Sequence, residues 1–592
     1  IVGRLFREFS LTLAFAIAIS TVVSLTVTPM ICAHFIRELP TARTTRFDRL
    51  VEGLLGWLVG LYARTLAVVL QHRTLTLLVV IATVGLTVDL YVKAPKGYFP
   101  QDDTGLVFGS ARASPDISFK AMRDLQQQLV DIVSADPAVF GVGSSVGGSG
   151  FSGSVNHGTL FISLKPLAER GGLSTTQVVD RLRRKLSNVA GIRLFMAPAQ
   201  DLRVGGRQSS SQYQFTLWDP DIEELQTWLP RVLERVRQLP GLVDVTTDRE
   251  QGGLQLSVSI DREAAARLGV QIQDIDSALS NAFAQRQIST IFTQRNQYRV
   301  ILEIDPRFQN DPADLGRVYV PGRGGTQVPL SAVARFERTT APLVVNHQGQ
   351  FPAITITYNL AAGTPLETAS AMITQAVAEL HLPDSLHTEF AGEARAFTQN
   401  VGAQQVLIIA ALIAVYIVLG VLYESLAHPL TIISTLPSAG LGALLALRMF
   451  GTELSVIAFI GIILLIGIVK KNGIMLVDFA LEGERQRGLS PEAAIYEACL
   501  ARFRPILMTT LAALFGAVPL LVATGPGSEL RRPLAITIIG GLLVSQVLTL
   551  YTTPVIYLLL DRLHRRLWGS ARRIRPTIEP AGAFSGDVGS GS

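Results

Sequence analysis

This sequence contains a series of apolar runs that are long enough to cross a lipid bilayer, and they limit the folds open to it. A helix that spans the hydrocarbon core needs about 20 predominantly apolar residues. Seven runs reach or approach that length, at residues 11–33, 74–92, 404–424, 428–448, 454–480, 504–524 and 533–560. Charged residues make up 17% of the chain, against about 25% in soluble domains. The sequence therefore predicts an α-helical polytopic membrane protein.

Arginine residues indicate how these runs are oriented. They cluster between the first two runs, in the loop 481–503 and after the last run. Seven alternating spans place all three clusters on one face, which the positive-inside rule makes cytoplasmic. The long segment 93–403 then lies outside, and the net charge of +5 needs no nucleic-acid partner to explain it. Because Ile1 nearly opens the first run, we expect the chain to be the C-terminal portion of a longer protein.

One further stretch, from Phe47 to Leu70, has apolar residues at helical spacing with charges at both flanks. It fits either an eighth span or an amphipathic helix that lies in the inner membrane interface. An eighth span would break the alternation of the arginine clusters. We therefore expect the interfacial helix.

The exterior segment is long enough to require a fold of its own. Its first part has the strand and helix patterns of a βαββαβ unit, the split βαβ sandwich. A second copy runs from "YQFTLWD" to "LHTEFAGEA", includes "LQLSVSID" as a strand, and is interrupted at residues 262–336. The predicted fold class is therefore an α-helical polytopic membrane protein with an α+β periplasmic insertion, made of two split-βαβ ferredoxin-like subdomains and an inserted module.

A glycine-rich stretch from Val142 to Gly158 separates two strands of the first copy and holds one aromatic residue, Phe151. It is either a plain connection between strands or a flexible lid with a hydrophobic tip over a substrate path. A phosphate loop is excluded, because no GK[ST] motif follows and no helix opens there.

Four polar residues, Lys470, Lys471, Asn472 and Asp478, lie inside the fifth apolar run. The helix either ends at Lys470, with both lysines reaching the headgroups, or continues to Ala480 and holds them in the membrane. The part of the run before Lys470 gives roughly 24 Å of helix, which is short for a hydrocarbon core of about 30 Å. We therefore expect both lysines inside the membrane.

Helical spacing places Lys471 and Asp478 on one face, with Lys470 about 100° away. A charge that faces lipid costs roughly 2.5–3.5 kcal/mol, so we expect Lys471 to turn toward an acidic partner and to relay protons. Asp478 is about 10 Å along the helix, too far for direct contact. In the next run, Arg502 is explained by the positive-inside rule as an ordinary cytoplasmic arginine. Thr509 is explained by a hydrogen bond from its hydroxyl to the backbone of its own helix.

Other kinds of chemistry find little support in the residue pattern. Cys32 and Cys499 are far apart and form no disulfide framework or zinc motif. Export of copper or silver would favour clustered thioether ligands, whereas the exterior methionines are few and widely spaced: Met122, Met196 and Met372. The exterior histidines form no metal motif, and no nucleophile elbow occurs. We expect no cofactor, no metal and no enzyme activity.

Four long segments, in this order, resemble the resistance-nodulation-division (RND) multidrug exporters of Gram-negative inner membranes. They read "GRLFREFSLTLAFAIAISTVVSLTVTPMIC", "VLYESLAHPLTIISTLPSAGLGALLAL", "LIGIVKKNGIMLVDFA" and "RFRPILMTTLAALFGAVPL". The resemblance extends from residue 1 to about residue 566. Three further segments, "RVGGRQSSSQYQF", "NAFAQRQISTIF" and "GSELRRPLAITIIGGLLVSQVLTLYTTPV", are similar to the MdtB/MdtC-like subgroup, which works as mixed trimers of two related subunits.

This resemblance implies a role for each candidate site residue. Lys471 corresponds to the proton-relay lysine of the family, whose acidic partners lie on a helix that this chain does not include. Arg502 and Thr509 correspond to residues that assist the relay, and Asp478 is a weaker relay candidate. The glycine-rich stretch matches a switch loop between two drug pockets, with these candidate residues on the substrate path: Gly150, Phe151 and Gly153.

The resemblance also implies an order of domains. In chain order they are the last membrane helix of a first half (1–36), a cytoplasmic interfacial helix (37–73), a membrane helix (74–92), a porter subdomain (93–205), a second porter subdomain in two parts (206–261 and 337–400) around a docking module (262–336), five membrane helices (401–565) and a basic, disordered cytoplasmic tail (566–592).

The implied function is proton-driven export of amphipathic drugs and bile-salt-like compounds, by alternating access in a trimer. The implied partners are a periplasmic adaptor (membrane fusion protein), an outer-membrane channel, and a sibling RND subunit or a second copy of the chain, in contact with the lipid bilayer. The alternatives are an RND-fold exporter of heavy metals or lipids and a proton-silent scaffold subunit of a mixed trimer. A scaffold would not need Lys471 or Asp478 inside the membrane.

Overall fold

Three apolar helices open the part of the chain that the computed structural model describes, which comprises residues 2–35, 46–147, 154–202, 205–206, 209, 211–249, 252–309, 311–361, 363–525 and 527–568. These helices are α1 (Val2–Phe35), α2 (Arg46–Gln71) and α3 (Arg73–Lys93). Each is long and apolar enough to cross a membrane. The end of the predicted cytoplasmic tail, 569–592, lies outside the described residues.

The first exterior subdomain is a four-stranded antiparallel sheet packed against two helices. Its elements are β1 (Leu106–Ala113), α4 (Phe119–Ser134), β2 (Val139–Val146), β3 (His157–Leu164), α5 (Thr175–Leu186) and β4 (Ile192–Pro198). The strands lie in the order β2–β3–β1–β4. Every second side chain of β1 is buried, because alternate residues of a strand face the same side. Met122 of α4 and Ile162 of β3 lie in the core between sheet and helices.

The rest of the exterior part contains one more sheet of this kind and an inserted module. Its elements are β5 (Tyr213–Trp218), α6 (Ile222–Arg237), β6 (Leu242–Thr247), β7 (Gly253–Ile260), α7 (Arg262–Leu268), α8 (Ile272–Phe283), β8 (Arg286–Phe292), β9 (Gln297–Leu302), β10 (Tyr319–Pro321), β11 (Gln327–Pro329), β12 (Ala334–Ala341), β13 (His347–Gln348), β14 (Phe351–Leu360), α9 (Leu366–Glu379) and β15 (His387–Ala391). In the main sheet β5 pairs with β14 and β15, and β6 pairs with β14. The first and second subdomains therefore share one strand order.

Strand β7 does not join the second subdomain, although the sequence analysis grouped "LQLSVSID" with it. It pairs with β12 in antiparallel register from Gly253 opposite Ala341 to Ile260 opposite Ala334. The two strands flank the inserted module in the chain, so their pairing closes its base. That expectation is wrong because the alternating pattern marks a half-buried strand but does not identify its partner.

Six helices complete the described chain: α10 (Gly392–Tyr423), α11 (Ala427–Ile433), α12 (Leu436–Met449), α13 (Val456–Arg487), α14 (Pro491–Val522) and α15 (Ser528–Trp568). Since α11 and α12 form one candidate span, the described residues contain eight candidate spans by length and composition, namely the seven predicted runs and Arg49–Gln71 of α2. Helix α15 packs against α12, α13 and α14 and is therefore the central helix of this group.

Helix α2 packs on this group rather than standing apart from it. The Tyr62 hydroxyl donates a hydrogen bond of 2.8 Å to the carbonyl oxygen of Leu550 in α15. The Tyr62 ring stacks on Phe503 of α14, with the ring centroids 4.8 Å apart. The placement of α2 in the membrane interface stays a prediction.

Candidate functional site

The polar residues of the fifth apolar run lie on α13, which does not end at Lys470. The helix begins after Ser455, whose hydroxyl accepts a hydrogen bond from the Ala458 amide. It then continues for 32 residues to Arg487. Lys470 and Lys471 therefore lie near its middle, and the interpretation in which the helix ends at Lys470 is wrong.

The polar residues of α13 point to different sides of the helix. Lys471 and Asp478 are exposed, Lys470 is half-buried and Asn472 is buried. Neither Lys471 nor Asp478 forms an ion pair within the part of the chain that the structure describes. Asp478 is close enough to Tyr423 of α10 for an electrostatic interaction. The expected acidic partner of Lys471 therefore stays a prediction.

Arg502 is half-buried and packs against α13. Its guanidinium carbon lies 4.6 Å from the centroid of the Phe479 ring, and that of Arg487 lies 5.6 Å from the same ring. Such cation–π contacts are favourable and grow stronger away from water. The Arg502 Nε is buried without a hydrogen-bond partner among the described residues. The contact brings Arg502 beside the residue that follows Asp478.

Thr509 has the ordinary role that its sequence context also allows. Its hydroxyl donates a hydrogen bond of 3.1 Å to the carbonyl oxygen of Ile506, one turn earlier in α14. This bond satisfies the hydroxyl within its own helix. Nothing in this contact joins Thr509 to Lys471.

A polar cluster that the sequence alone does not predict lies beside these residues. Asn472 of α13 contacts Thr510 of α14 and Gln546 of α15. The signal that points to it is the lone glutamine in the apolar stretch "GGLLVSQVLTL", because an amide inside a membrane helix needs polar partners. Its partners cannot be read from that stretch, since they lie on helices distant in the sequence.

A cleft of about 540 Å³ opens between the first exterior subdomain and the β7–β12 pair at the base of the inserted module. Phe119 and Val155 line it from the first subdomain, and Leu254 and Leu343 line it from the other side. Residues 154–156, near the end of the glycine-rich stretch, also line it. The loop candidates Gly150, Phe151 and Gly153 lie outside the described residues, so the structure places only the end of this loop at the cleft.

Two neighbouring carboxylates, Asp102 and Asp103, lie in the connection from α3 to β1 and have opposite environments. Burial, together with the nearby charges of Glu529 and Asp201, raises the pKa of Asp102 to about 6. Burial alone would also raise the pKa of Asp103, but hydrogen bonds from Thr175 and Arg170 lower it. Glu529 is in the first turn of α15. Asp102 therefore lies beside the exterior end of the central membrane helix.

No group of three or more His, Cys, Asp or Glu residues is arranged to hold a metal ion within the described residues. Two of the three exterior methionines are core residues: Met122 is 0% exposed and Met196 is 1% exposed. Neither sulfur is available to a soft metal ion passing through the cleft.

The chain matches one known family along almost its whole length. The family described as the AcrB/AcrD/AcrF family matches residues 1–561. Among solved structures, a heavy metal efflux pump in crystal form II has a TM-score of 0.77 at 23% identity, over 86% of this chain and 53% of that chain. At that identity the likeness shows the fold alone.

Several curated relatives are far more similar in sequence. The multidrug resistance protein MdtC of Cronobacter sakazakii is 52% identical over 574 residues, which are 97% of this chain and 55% of that protein. MdtC of Klebsiella pneumoniae is 51% identical over 95% of this chain and 54% of its own length. MdtC of Escherichia coli is 50% identical with the same two coverages. The chain thus spans about half the length of these relatives.

Proposed function

Because the chain belongs to the AcrB/AcrD/AcrF family, we propose that it is part of an exporter that moves amphipathic drugs and bile-salt-like compounds out of the cell in exchange for protons. The identity of 50–52% with proteins named multidrug resistance protein MdtC carries this choice of substrate class. Large apolar pockets discriminate poorly, so the substrates share amphipathic character rather than one scaffold.

Family membership confirms the predicted RND resemblance, the MdtB/MdtC-like subgroup and the fold class. It also confirms a multi-pass inner-membrane protein with a large exterior part, in agreement with the eight candidate spans among the described residues. The family consists of transporters, not enzymes. The driving force, the substrates and the partners of this chain belong to the proposal.

Proton coupling is supported by the position of Lys471 near the middle of α13. A charged side chain at that depth is costly, so its presence there indicates a functional role. In the proposed relay Lys471 takes up and releases the proton, Arg502 and Thr509 assist it, and Asp478 is a weaker participant. The cation–π contact of Arg502 with Phe479 holds Arg502 of α14 against α13, the helix that carries Lys471.

The substrate path is supported by the cleft between the first exterior subdomain and the β7–β12 pair. Its lining is mixed: the exposed side chains of Phe119, Leu254 and Leu343 suit the hydrophobic part of an amphipathic compound, and polar residues such as Asp116 and Asn156 suit its polar part. The glycine-rich stretch reaches this cleft at residues 154–156, so we propose Gly150, Phe151 and Gly153 as switch-loop residues on the substrate path.

Transport in this proposal follows alternating access, in which proton binding in the membrane shifts the population of exterior states. The chain works in a trimer with a sibling RND subunit or with copies of itself. The inserted module, 262–336, docks toward a periplasmic adaptor (membrane fusion protein) and an outer-membrane channel. Together these parts form a tripartite pump.

Export of soft metal ions by this chain is disfavoured. Met122 and Met196 are buried in the core of the first subdomain, whereas a copper or silver path needs accessible sulfur ligands. The fold shared with heavy metal efflux pumps therefore does not imply their substrate. A proton-silent scaffold subunit is the remaining alternative, and it predicts that Lys471 is dispensable.

The test of proton coupling is Lys471→Ala in the full-length transporter, produced with its partner genes in an efflux-deficient Gram-negative strain. Lys470→Ala is the matched control, since it removes a lysine from the adjacent position of the same helix. We expect Lys471→Ala to lower proton-coupled transport by roughly 100-fold or more, the range of a lost proton-transfer group. Drug and bile-salt resistance at matched membrane levels measures this.

Two outcomes decide between the proposal and the scaffold alternative. Loss of resistance in Lys471→Ala, with Lys470→Ala close to wild type, supports a relay through Lys471. Full resistance in Lys471→Ala shows that this chain is proton-silent and that its sibling subunit drives the pump.

A further inference from the structure

Two of the proposed relay residues are each followed by a residue that is buried against α15. Lys471 precedes Asn472 on α13, and Thr509 precedes Thr510 on α14. Asn472 and Thr510 are each 6% exposed. Both contact the same side chain, Gln546 of α15. We call Asn472, Thr510 and Gln546 the polar triad.

The hydrogen bonds of the triad converge on one oxygen atom. The Thr510 hydroxyl donates to Gln546 Oε1 at 2.6 Å. The Asn472 amide nitrogen Nδ2 lies 3.3 Å from the same Oε1 and 3.4 Å from Thr510 Oγ1. The hydroxyl bond is short, and the two amide contacts are slightly longer than the usual N–H···O hydrogen bond. Three helices thus meet at a single acceptor.

We propose that the polar triad sets the rotation of α13 and α14 about their axes, and thereby positions Lys471 and Thr509 for proton relay. This inference rests on the proposed function, because positioning has no consequence if Lys471 carries no proton. The triad residues are positioning residues: none of them is proposed to bind the proton or the drug.

The geometry of a helix explains why such a contact controls Lys471. Neighbouring residues point about 100° apart, so fixing Asn472 against α15 also fixes the direction of Lys471. A lysine amine lies roughly 8 Å from the helix axis, as the helix radius of about 2.3 Å and an extended side chain imply. A rotation of about 10° therefore displaces it by about 1.4 Å. Misplacement of about 1 Å is enough to slow a reaction by about 100-fold.

Simple adhesion between helices is a weaker explanation for the triad. Hydrogen bonds between membrane helices stabilise by only about 0.6 kcal/mol on average. Gln546 also keeps a buried donor, Nε2, that has no hydrogen-bond partner among the described residues, and an unsatisfied buried donor is costly. An apolar side chain would pack at this position without that cost. The presence of polar residues at these positions is better explained by the way the triad fixes the directions of Lys471 and Thr509.

The experiment compares Thr510→Val and Gln546→Leu with wild type in the full-length transporter, reconstituted with its partner subunits in proteoliposomes. Thr510→Val keeps the shape and removes the hydroxyl. Thr553→Val is the matched control, because Thr553 is also fully buried and its hydroxyl has no hydrogen-bond partner among the described residues. Thr510→Ser restores the hydroxyl and serves as the rescue.

Drug efflux is measured under an imposed proton gradient over a range of pH. For Thr510→Val and Gln546→Leu we expect a maximal rate at least about tenfold lower, a shifted pH profile and an unchanged apparent KM for the drug. The KM is unchanged because the cleft lies in the exterior part. Thr510→Ser and Thr553→Val should match wild type in all three quantities.

Two outcomes would overturn the inference. One is a wild-type maximal rate and pH profile in both Thr510→Val and Gln546→Leu. The other is a loss of transport that only follows the loss of folded protein, with an unchanged rate per folded molecule at every pH. If wild type itself shows no proton-coupled efflux, the proposed function fails, and that result is distinct from both.

Discussion

Buried polar groups have different kinds of partner in the first exterior subdomain and in the membrane helices. In the exterior subdomain, the fully buried Asp136 side chain is paired on both oxygens, with Arg181 at 2.6 Å and Lys185 at 2.8 Å. In the membrane helices, Lys471 has no ion pair within the described residues, and two neutral side chains, those of Asn472 and Thr510, share the Gln546 oxygen as acceptor. Buried charges thus support the exterior fold through ion pairs, whereas the polar groups buried between the membrane helices are neutral and are joined by hydrogen bonds.

The largest expected effect on stability is that of Asp136→Ala. Burial alone would raise the pKa of Asp136, but hydrogen bonds from Lys185 and Ala138 and the charge of Arg181 lower it. Removing one partner of a buried ion pair costs about 3–5 kcal/mol. We expect about 3 kcal/mol, since Arg181 and Lys185 are partly exposed and regain water. Thermal unfolding of the purified full-length protein measures it.

Asp124→Ala is the control for that substitution, because Asp124 lies in the same subdomain and pairs with Arg123 at the surface. Exposed ion pairs contribute about 0–1 kcal/mol, so this variant should unfold close to wild type. Equal effects of the two substitutions would contradict the assignment of the exterior pairs to stability.

A second prediction concerns what holds the membrane helices together. Gly442 of α12 faces α15 so closely that an added Cβ would lie 2.3 Å from the carbonyl oxygen of Gly540 and 2.7 Å from Cβ of Val544. Small residues at membrane helix contacts allow backbones to approach in this way. Gly442→Ala should therefore destabilise by about 2 kcal/mol through overpacking, measured as loss of folded protein on heating in detergent.

Gly85→Ala in α3 is the matched control, since an added Cβ there meets nothing within 4 Å. It should be neutral or slightly stabilising, because alanine favours helices over glycine. A stable Gly442→Ala protein would show that close packing of α12 and α15 is not the main source of stability.

A third prediction uses the pH dependence of Asp102, beside the exterior end of α15. The pKa of Asp102 is raised to about 6 in the folded protein, so folding favours its protonated form. Its ionised form therefore destabilises the protein above about pH 6, and that cost is relieved as the pH falls through 6 toward the unfolded value of about 3.9. Asp102→Asn should raise stability by on the order of 1 kcal/mol at pH 7.5.

The measurement for Asp102 is the difference in unfolding temperature between Asp102→Asn and wild type, followed from pH 7.5 to pH 5. That difference should narrow as the pH falls. Asp201→Asn, at an exposed neighbouring position, should leave the pH dependence largely intact. A constant difference at all pH values would mean that Asp102 does not titrate in this range.

Much of this fold follows from local patterns in the sequence. Apolar length predicts the membrane helices, because a span must bury about 20 residues in lipid. Alternation of side chains in strands such as β1 predicts the two exterior sheets. The same local reasoning predicts that α13 continues past Lys470, since a helix that ended there would be too short to cross the membrane.

Partners distant in the chain are what the sequence does not reveal. The pairing of β7 with β12 joins Gly253 to Ala341, and no local pattern encodes that choice. The polar triad combines Asn472, Thr510 and Gln546, each on a different helix. In the sequence, each triad residue is a polar residue within an apolar run, with nothing nearby that identifies its partners. Only the packing of α13, α14 and α15 shows that these three polar residues contact one another.

The substitution Thr510→Val should cost the membrane helices little stability. Thr510→Val removes the short hydrogen bond to Gln546 from the membrane helices without changing the volume of the side chain. The expected cost is about 0.6 kcal/mol, the average for hydrogen bonds between membrane helices, which makes it several times smaller than that of Asp136→Ala. Thermal unfolding of both variants under one set of conditions tests the ratio. If Thr510→Val lost as much stability as Asp136→Ala, the polar triad would be a structural contact like the exterior ion pairs. The two regions would then differ in the type of buried interaction, but these interactions would serve the same purpose, which is to stabilise the fold.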